Sequence, residues 1–181
     1  MVESVFWFSL FALGYTYVGY PFVLWVWARI GSRQASQASQ ESFVPPVSIV
    51  IAARNEEQHI ARRIEDCLNV DYPADRVEVI VISDGSTDGT VDIIQRYAGH
   101  RVRPVILRDR LGKAAALNRG VAEARGDIIL FTDARQTFNK SAVRELVAGF
   151  CDPRVGAVSG ELVLVKEQGG APLHNAIVLA V

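Results

Sequence analysis

Apolar positions fall into two regimes along this chain. From 4 to 28 they run on without a charged residue, while beyond Pro46 short β-branched runs alternate with amphipathic stretches. At 1.5 Å per residue the first regime forms a helix of about 37 Å, enough to cross a hydrocarbon core of roughly 30 Å. Ten of the sixteen aromatic residues lie in it, and Trp7, Tyr20, Trp25 and Trp27 fall near its ends, where amphipathic rings favour the lipid–water boundary. Gly14, Gly19 and Pro21 would weaken a soluble helix but are tolerated in a membrane span, and the small residues leave room for partner helices. A cleaved signal peptide would start with basic residues and carry a shorter apolar core, whereas this segment begins with Glu3. A buried soluble helix is disfavoured by the uncharged length and by the polar stretch that follows. Arg29 and Arg33 follow the span and nothing basic precedes it, which predicts a single-pass anchor in the inner (plasma) membrane with the remainder cytoplasmic.

The second regime starts after a tether, GSRQASQASQES at 31–42, which has no apolar periodicity and is followed by the stiff pair Pro45-Pro46. The expected organisation is an anchor over 1–30, a linker over 31–44 and a folded part over 45–181. Strands are predicted near 47–52, 77–83, 102–107 and 128–132. Helices fill the gaps. The first covers about 56–68, with Ile60, Ile64 and Leu68 forming an apolar stripe; the second runs from about Thr87 to Tyr97, with Ser86, Thr87 and Thr90 offering capping hydroxyls. A third covers 113–124, and a fourth follows Asn139 with Val143, Leu146, Val147 and Phe150 on one side. A further strand is predicted over 155–165. Nearly continuous apolar strands, each followed by a helix, imply a mostly parallel α/β sheet covered on both faces.

Composition narrows the function classes. The formal net charge is −1, from 19 basic and 20 acidic residues, so no general electrostatic pull toward nucleic acid exists and none is expected as a partner. Cys67 and Cys151 match no metal-ligand spacing and read as reduced core residues, and His59, His100 and His174 form no spaced cluster.

Parallel sheets bind ligands beyond the carboxyl ends of their strands, which selects the loops at 53–57, 84–88 and 133–137. SDGSTDGT at 83–90 joins a strand-end acid, glycines that allow close backbone approach, and hydroxyls at a helix start. Alone, it is equally an ordinary turn with a helix cap. The GxGxxG fingerprint and the GxxxxGK[ST] loop are both absent. DIILFTDAR runs an apolar strand into Asp133, where a carboxylate could meet a divalent ion that bridges two phosphates. The next helix begins near Asn139, which weakens the reading of Asp133 as a cap.

In order and approximate spacing, SIVIAARNEE, VIVISDGSTDGT, LGKAAALNRG and GDIILFTDAR resemble the motifs of family 2 glycosyltransferases over about 47–165, closest in look to the membrane-bound bacterial synthases of cellulose, hyaluronan and poly-N-acetylglucosamine. The resemblance implies a GT-A fold, a Rossmann-like, mostly parallel sheet with helices on both faces, incomplete here and preceded by one transmembrane helix. It implies a nucleotide-sugar donor, UDP-linked, and inverting transfer into a polysaccharide. It places Asn55 and Glu56 beside the nucleoside, Asp84 on the base and Lys113 near the donor. Asp133 becomes the first acid of the DxD metal motif, with Mg²⁺ or Mn²⁺ as cofactor. Two positions depart from the pattern. Arg135 stands where the second acid of DxD is expected, which puts metal dependence in doubt and offers a guanidinium to the diphosphate. Ser83 stands where many relatives have another Asp.

Inverting members also use a downstream acid as general base. Glu145, Asp152, Glu161 and Glu167 match no such motif, so the catalytic base is not assigned, and the QxxRW acceptor motif and later membrane helices are absent from the sequence. The expectation is a donor-binding part that does not turn over alone and is completed by another chain or segment. The competing expectation is a non-catalytic membrane protein that binds a nucleotide sugar.

Overall fold

A computed structural model of the protein describes residues 2–31, 43–99, 101–137, 139–160 and 179–180. Residues 32–42 of the expected tether, His100, and positions 161–178, which include His174 and the end of the last predicted strand, lie outside the described residues. The chain divides into two compact units, Met1–Ser36 and Gln37–Val181.

In the first unit, helix α1 (Val2–Gly14) passes through a π-helical turn (Tyr15–Gly19) into α2 (Tyr20–Gly31). The 28 residues Val2–Arg29 are long and apolar enough to cross a membrane, and none is buried within the protein. Its polar side chains are satisfied locally: the Ser9 hydroxyl donates to the Val5 carbonyl and Thr16 to Ala12, both at 2.8 Å, which suits apolar surroundings that offer no other acceptor. At the far end the Arg29 guanidinium lies over the Trp25 ring, 5.0 Å from its centroid.

In the second unit, strands β1 (Val47–Ala53), β2 (Val77–Asp84), β3 (Val102–Leu107) and β4 (Ile128–Asp133) form the expected parallel sheet. Two short strands, β5 (Val158–Ser159) and β6 (Leu179–Ala180), add to it antiparallel, giving the order β3-β2-β1-β4-β6-β5. Helices α3 (Ile60–Leu68), α4 (Thr90–Arg96) and α6 (Ala142–Ala148) cover one face, where Ile60, Ile64, Ile94, Val143 and Val147 pack against Val47, Ile49 and Ile51. Helix α5 (Lys113–Glu123) covers the other, with Ala116 and Leu117 against Val50, Ile80 and Ile82. Burying each such aliphatic side chain contributes about 1.5–3 kcal/mol, and alternate strand residues feed the two cores.

Two helices start later than the periodicity predicts. Residues 54–57 are drawn into a loop in which Asn55 takes a left-handed φ of 53°, so α3 begins at Ile60. The buried face of α3 is Ile60, Arg63, Ile64 and Cys67, with Leu68 only partly buried, a shift of the expected stripe by one position. Helix α4 begins at Thr90 because the hydroxyls expected to cap it are engaged elsewhere.

Candidate functional site

Strand β1 lies between β2 and β4, with Ala53 paired to Ser83 and Ala52 to Asp133, so the three selected loops emerge side by side. The first two are clasped together. The Asn55 Oδ1 accepts the Thr87 N–H at 2.9 Å, the Asn55 N–H donates to the Ser86 hydroxyl, and the Glu56 N–H donates to the Thr90 hydroxyl at 2.8 Å. The Gly89 N–H donates to the Glu57 carboxylate, and the Glu57 N–H to Asp88. Asp88 takes over the capping of α4 by accepting the Thr90 N–H and hydroxyl. Desolvation is the largest single influence and opposes it, yet the hydrogen bonds from Thr90 and Glu57 together hold Asp88 below the ordinary aspartate range.

Asp84 ends β2 and is 4 % exposed. Its two oxygens accept the N–H groups of Leu111 and Gly112, at 2.7 and 2.9 Å, and so fix the start of α5 that carries Lys113. Gly85 is required beside it: φ is +61°, and a Cβ there would lie 2.7 Å from the Arg110 nitrogen. Gly112, at φ +92°, turns the chain into α5.

At the end of β4, the Gln136 side-chain oxygen accepts the Asp133 N–H and the Thr132 hydroxyl, and that hydroxyl also accepts from the Arg63 guanidinium at 2.7 Å. Arg63 is 1 % exposed. Burial lowers its pKa, and the negative fields of Cys67, Asp66 and Asp133 oppose that shift. On the outer side, the Lys113 ammonium bonds Asp133 Oδ1 at 2.5 Å, and Arg135 Nε bonds both oxygens of Glu56 at 2.9 and 3.0 Å. The hydrogen bond and charge of Glu56 raise the Arg135 pKa above its usual value. His59 Nδ1 lies 3.2 Å from the same carboxylate.

All six predicted residues, Asn55, Glu56, Asp84, Lys113, Asp133 and Arg135, therefore sit at the carboxyl ends of three adjacent strands or at the start of α5. Four of the five charged ones form two cation–carboxylate pairs, while Asp84 is taken up by backbone N–H groups. Lys113 and Arg135 are 63 % and 64 % exposed, Asp133 is 47 % exposed, and Glu56 beneath Arg135 is 13 % exposed. At the Arg135–Glu56 pair an incoming anion meets the cation first. The same arrangement is a poor cage for a divalent ion. Asp133 already carries an ammonium, Arg135 replaces the second acid, and at about 4 Å a cation is repelled by roughly 4 kcal/mol per unit charge at an effective dielectric of 20. Among the described residues no group of three or more His, Cys, Asp or Glu side chains is placed to hold a metal.

Sequence reasoning missed the residues that support the site. Arg63 falls three residues after Ile60 and four before Cys67 on the buried face of α3, a charged residue at a stripe position, and that was the available signal. Gln136 follows Asp133 by three residues, and nothing in the local pattern distinguishes it from an exposed loop residue. Asp88 was not among the expected caps, which were the hydroxyls of Ser86, Thr87 and Thr90.

The glycosyl transferase family 2 model matches residues 48–175. The beta-monoglucosyldiacylglycerol synthase of a Nostoc species is 36 % identical over 162 residues, 87 % of this chain and 34 % of the relative. The poly-beta-1,6-N-acetyl-D-glucosamine synthase of Staphylococcus epidermidis is 28 % identical over 155 residues, 84 % of this chain and 37 % of the relative. The chain thus spans about a third of the length of the curated relatives it matches. Among solved structures, the mannosyltransferase PcManGT from Pyrobaculum calidifontis, in complex with GDP-Man and Mn²⁺, superposes with a TM-score of 0.71 at 30 % identity, covering 87 % of this chain and 46 % of that one. The sheet is the GT-A sheet, the motif loops converge at its carboxyl edge, and the matched region takes in all of them: the chain belongs to glycosyl transferase family 2.

Proposed function

We propose that this chain is the donor-binding part of a membrane-anchored glycosyltransferase that takes a sugar from a nucleotide sugar, UDP-linked, for polysaccharide synthesis. The observation that carries the reading is the convergence of Asn55, Glu56, Asp84, Lys113, Asp133 and Arg135 on one edge of the sheet. Asn55 and Glu56 border the nucleoside, Asp84 holds the loop beside the base, and Lys113 and Arg135 face the diphosphate. The helix over Val2–Arg29 anchors the chain in the plasma membrane, and Arg29 retains the following part on the cytoplasmic side, where nucleotide sugars are made.

A glycolipid product is the second reading, favoured by the relative named for monoglucosyldiacylglycerol. The PcManGT complex holds Mn²⁺, so binding to this chain is measured with and without that ion. The test is calorimetric titration of the detergent-solubilised chain with UDP and with GDP, beside Asp133→Ala and a melting control. Saturable binding weakened in the variant is expected. A folded chain that binds neither nucleotide sinks the donor-site reading. Incubating membranes that hold the chain with radiolabelled nucleotide sugar then separates the acceptors: label in a water-soluble polymer supports the first reading, label in the organic extract the second.

A further inference from the structure

We infer that Arg135, together with Lys113, neutralises the donor diphosphate in place of a metal ion held by two acids, so that nucleotide binding at this site does not require a divalent cation. The inference rests on the donor-site reading above and specifies what meets the phosphates.

Two observations on the same edge of the sheet lead there. Arg135 lies outward of Glu56, 64 % against 13 % exposed, so an anion reaches the guanidinium without displacing that acid, and the exposed Lys113 ammonium stands beside it on the half-exposed Asp133. Of the Arg135 nitrogens, Nε is the one that hydrogen-bonds a described residue, and it donates to Glu56. A guanidinium keeps donors on its two terminal nitrogens in a plane that fits two phosphate oxygens at once. Glu56, nearly buried, is the positioning residue: it orients the guanidinium before any ligand arrives, which lowers the ordering cost of binding.

The position of Asp133 points the same way. Its backbone is fixed by Gln136, and Arg63 lies beneath Thr132, so the carboxylate sits between a buried guanidinium and the Lys113 ammonium. Its charge is matched from both sides, which suits it to hold Lys113 upright and not to coordinate a bare dication. A nucleoside diphosphate carries two to three negative charges over adjacent phosphates, and Lys113 and Arg135 offer it charge-assisted N–H donors while their paired acids keep the four-residue cluster net neutral.

The experiment is calorimetric titration of the detergent-solubilised full chain with UDP and with GDP, each in Mn²⁺ and in chelator, for the wild type, Arg135→Gln and Arg135→Asp. The wild type should bind its preferred nucleotide with dissociation constants within about threefold of each other in the two buffers. Arg135→Gln should bind about tenfold more weakly in both, the loss of one charge-assisted contact. Arg135→Asp, which restores two acids, should bind only when Mn²⁺ is present. A merely structural Arg135 would not produce that switch, and thermal melting of each variant checks that Glu56 without its guanidinium partner leaves the chain folded. Wild-type binding abolished by chelator, or unaltered in Arg135→Gln, overturns the inference while leaving the donor site in place. A melting-competent chain that binds neither nucleotide in either buffer removes the donor-site reading and the inference with it.

Discussion

Asp84 at the end of β2 accepts the backbone N–H of Gly112 at 2.9 Å, with its other oxygen on Leu111. A single carboxylate thus closes the loop that leads into α5 and presents Lys113. Replacing it by Asn exchanges one acceptor for an amide donor that faces a backbone N–H. Asp84→Asn should cost about 1–3 kcal/mol, because the buried donor loses its partner. The same loop carries Arg108 and Arg110, both exposed. Trypsin should therefore cut at those two positions faster in the variant, read by mass spectrometry of the early fragments, and equal cleavage rates would show that the carboxylate does not hold the loop.

Asn55 combines a left-handed backbone with a side-chain bond to Thr87, and two substitutions separate these contributions. Asn55→Gly keeps the backbone at no steric cost and loses the bond across to the second loop. Asn55→Ala loses the bond and also holds an unfavourable φ, a further penalty of about 1 kcal/mol. Chemical denaturation should rank wild type above Gly above Ala. An Ala variant as stable as Gly would mean that the loop relaxes out of the left-handed region.

The sheet and the location of the site were legible in the sequence because both follow from local rules. Val77–Asp84 and Val47–Ala53 are runs of β-branched residues too short and too continuous for anything but covered strands, and chemistry in such a sheet gathers at the carboxyl ends. Partnership across the site was not legible. Which acid takes Lys113 and which takes Arg135 depends on β1 lying between β2 and β4, a relation between residues up to 79 positions apart. The late start of α4 was hidden for the same reason: Ser86 and Thr87 read as caps until Asn55, some thirty residues earlier, is seen to claim them. Buried Arg63 was obscured by its neighbours, since an arginine inside an amphipathic stretch is ordinarily assigned to the wet face.

Gly126, between α5 and β4, is required by close backbone approach. A Cβ there would lie 2.5 Å from the Ser48 nitrogen and 2.7 Å from the Val47 carbonyl carbon, and main-chain atoms of a buried strand cannot swing away. Its own N–H donates to the Ser48 hydroxyl at 2.8 Å, so displacement also breaks a bond. Gly126→Ala should destabilise by about 1–3 kcal/mol through overpacking. Gly156→Ala, where a Cβ meets open space, should stay within about 0.5 kcal/mol of the wild type. Unfolding midpoints in urea compare the two, and equal midpoints would show that β1 tolerates the shift.

Cys67 supplies a pH test of the packing under α3. The thiol is fully buried, and desolvation pushes its pKa from 9.0 up to about 11, against the lowering effect of nearby Arg63. The folded state therefore keeps a proton that the unfolded chain gives up at lower pH. Its contribution is fully present below the unfolded value near 9 and is lost as pH rises through about 11. Between those limits the unfolded chain binds fewer protons, so the unfolding free energy falls with pH, by something on the order of 2 kcal/mol over the window from this group. Tyr72 and Tyr97, whose pKa values are also raised, add to the fall, Tyr72 by desolvation and Tyr97 through its hydrogen bond to Glu65. The comparison that isolates the thiol is the slope of stability against pH in the wild type and in Cys67→Ala. The variant starts lower because it leaves a small cavity, yet its stability should fall less steeply between pH 9 and 11. Parallel slopes would mean that water reaches the thiol in the folded state, and with it the back of the face that carries Arg63.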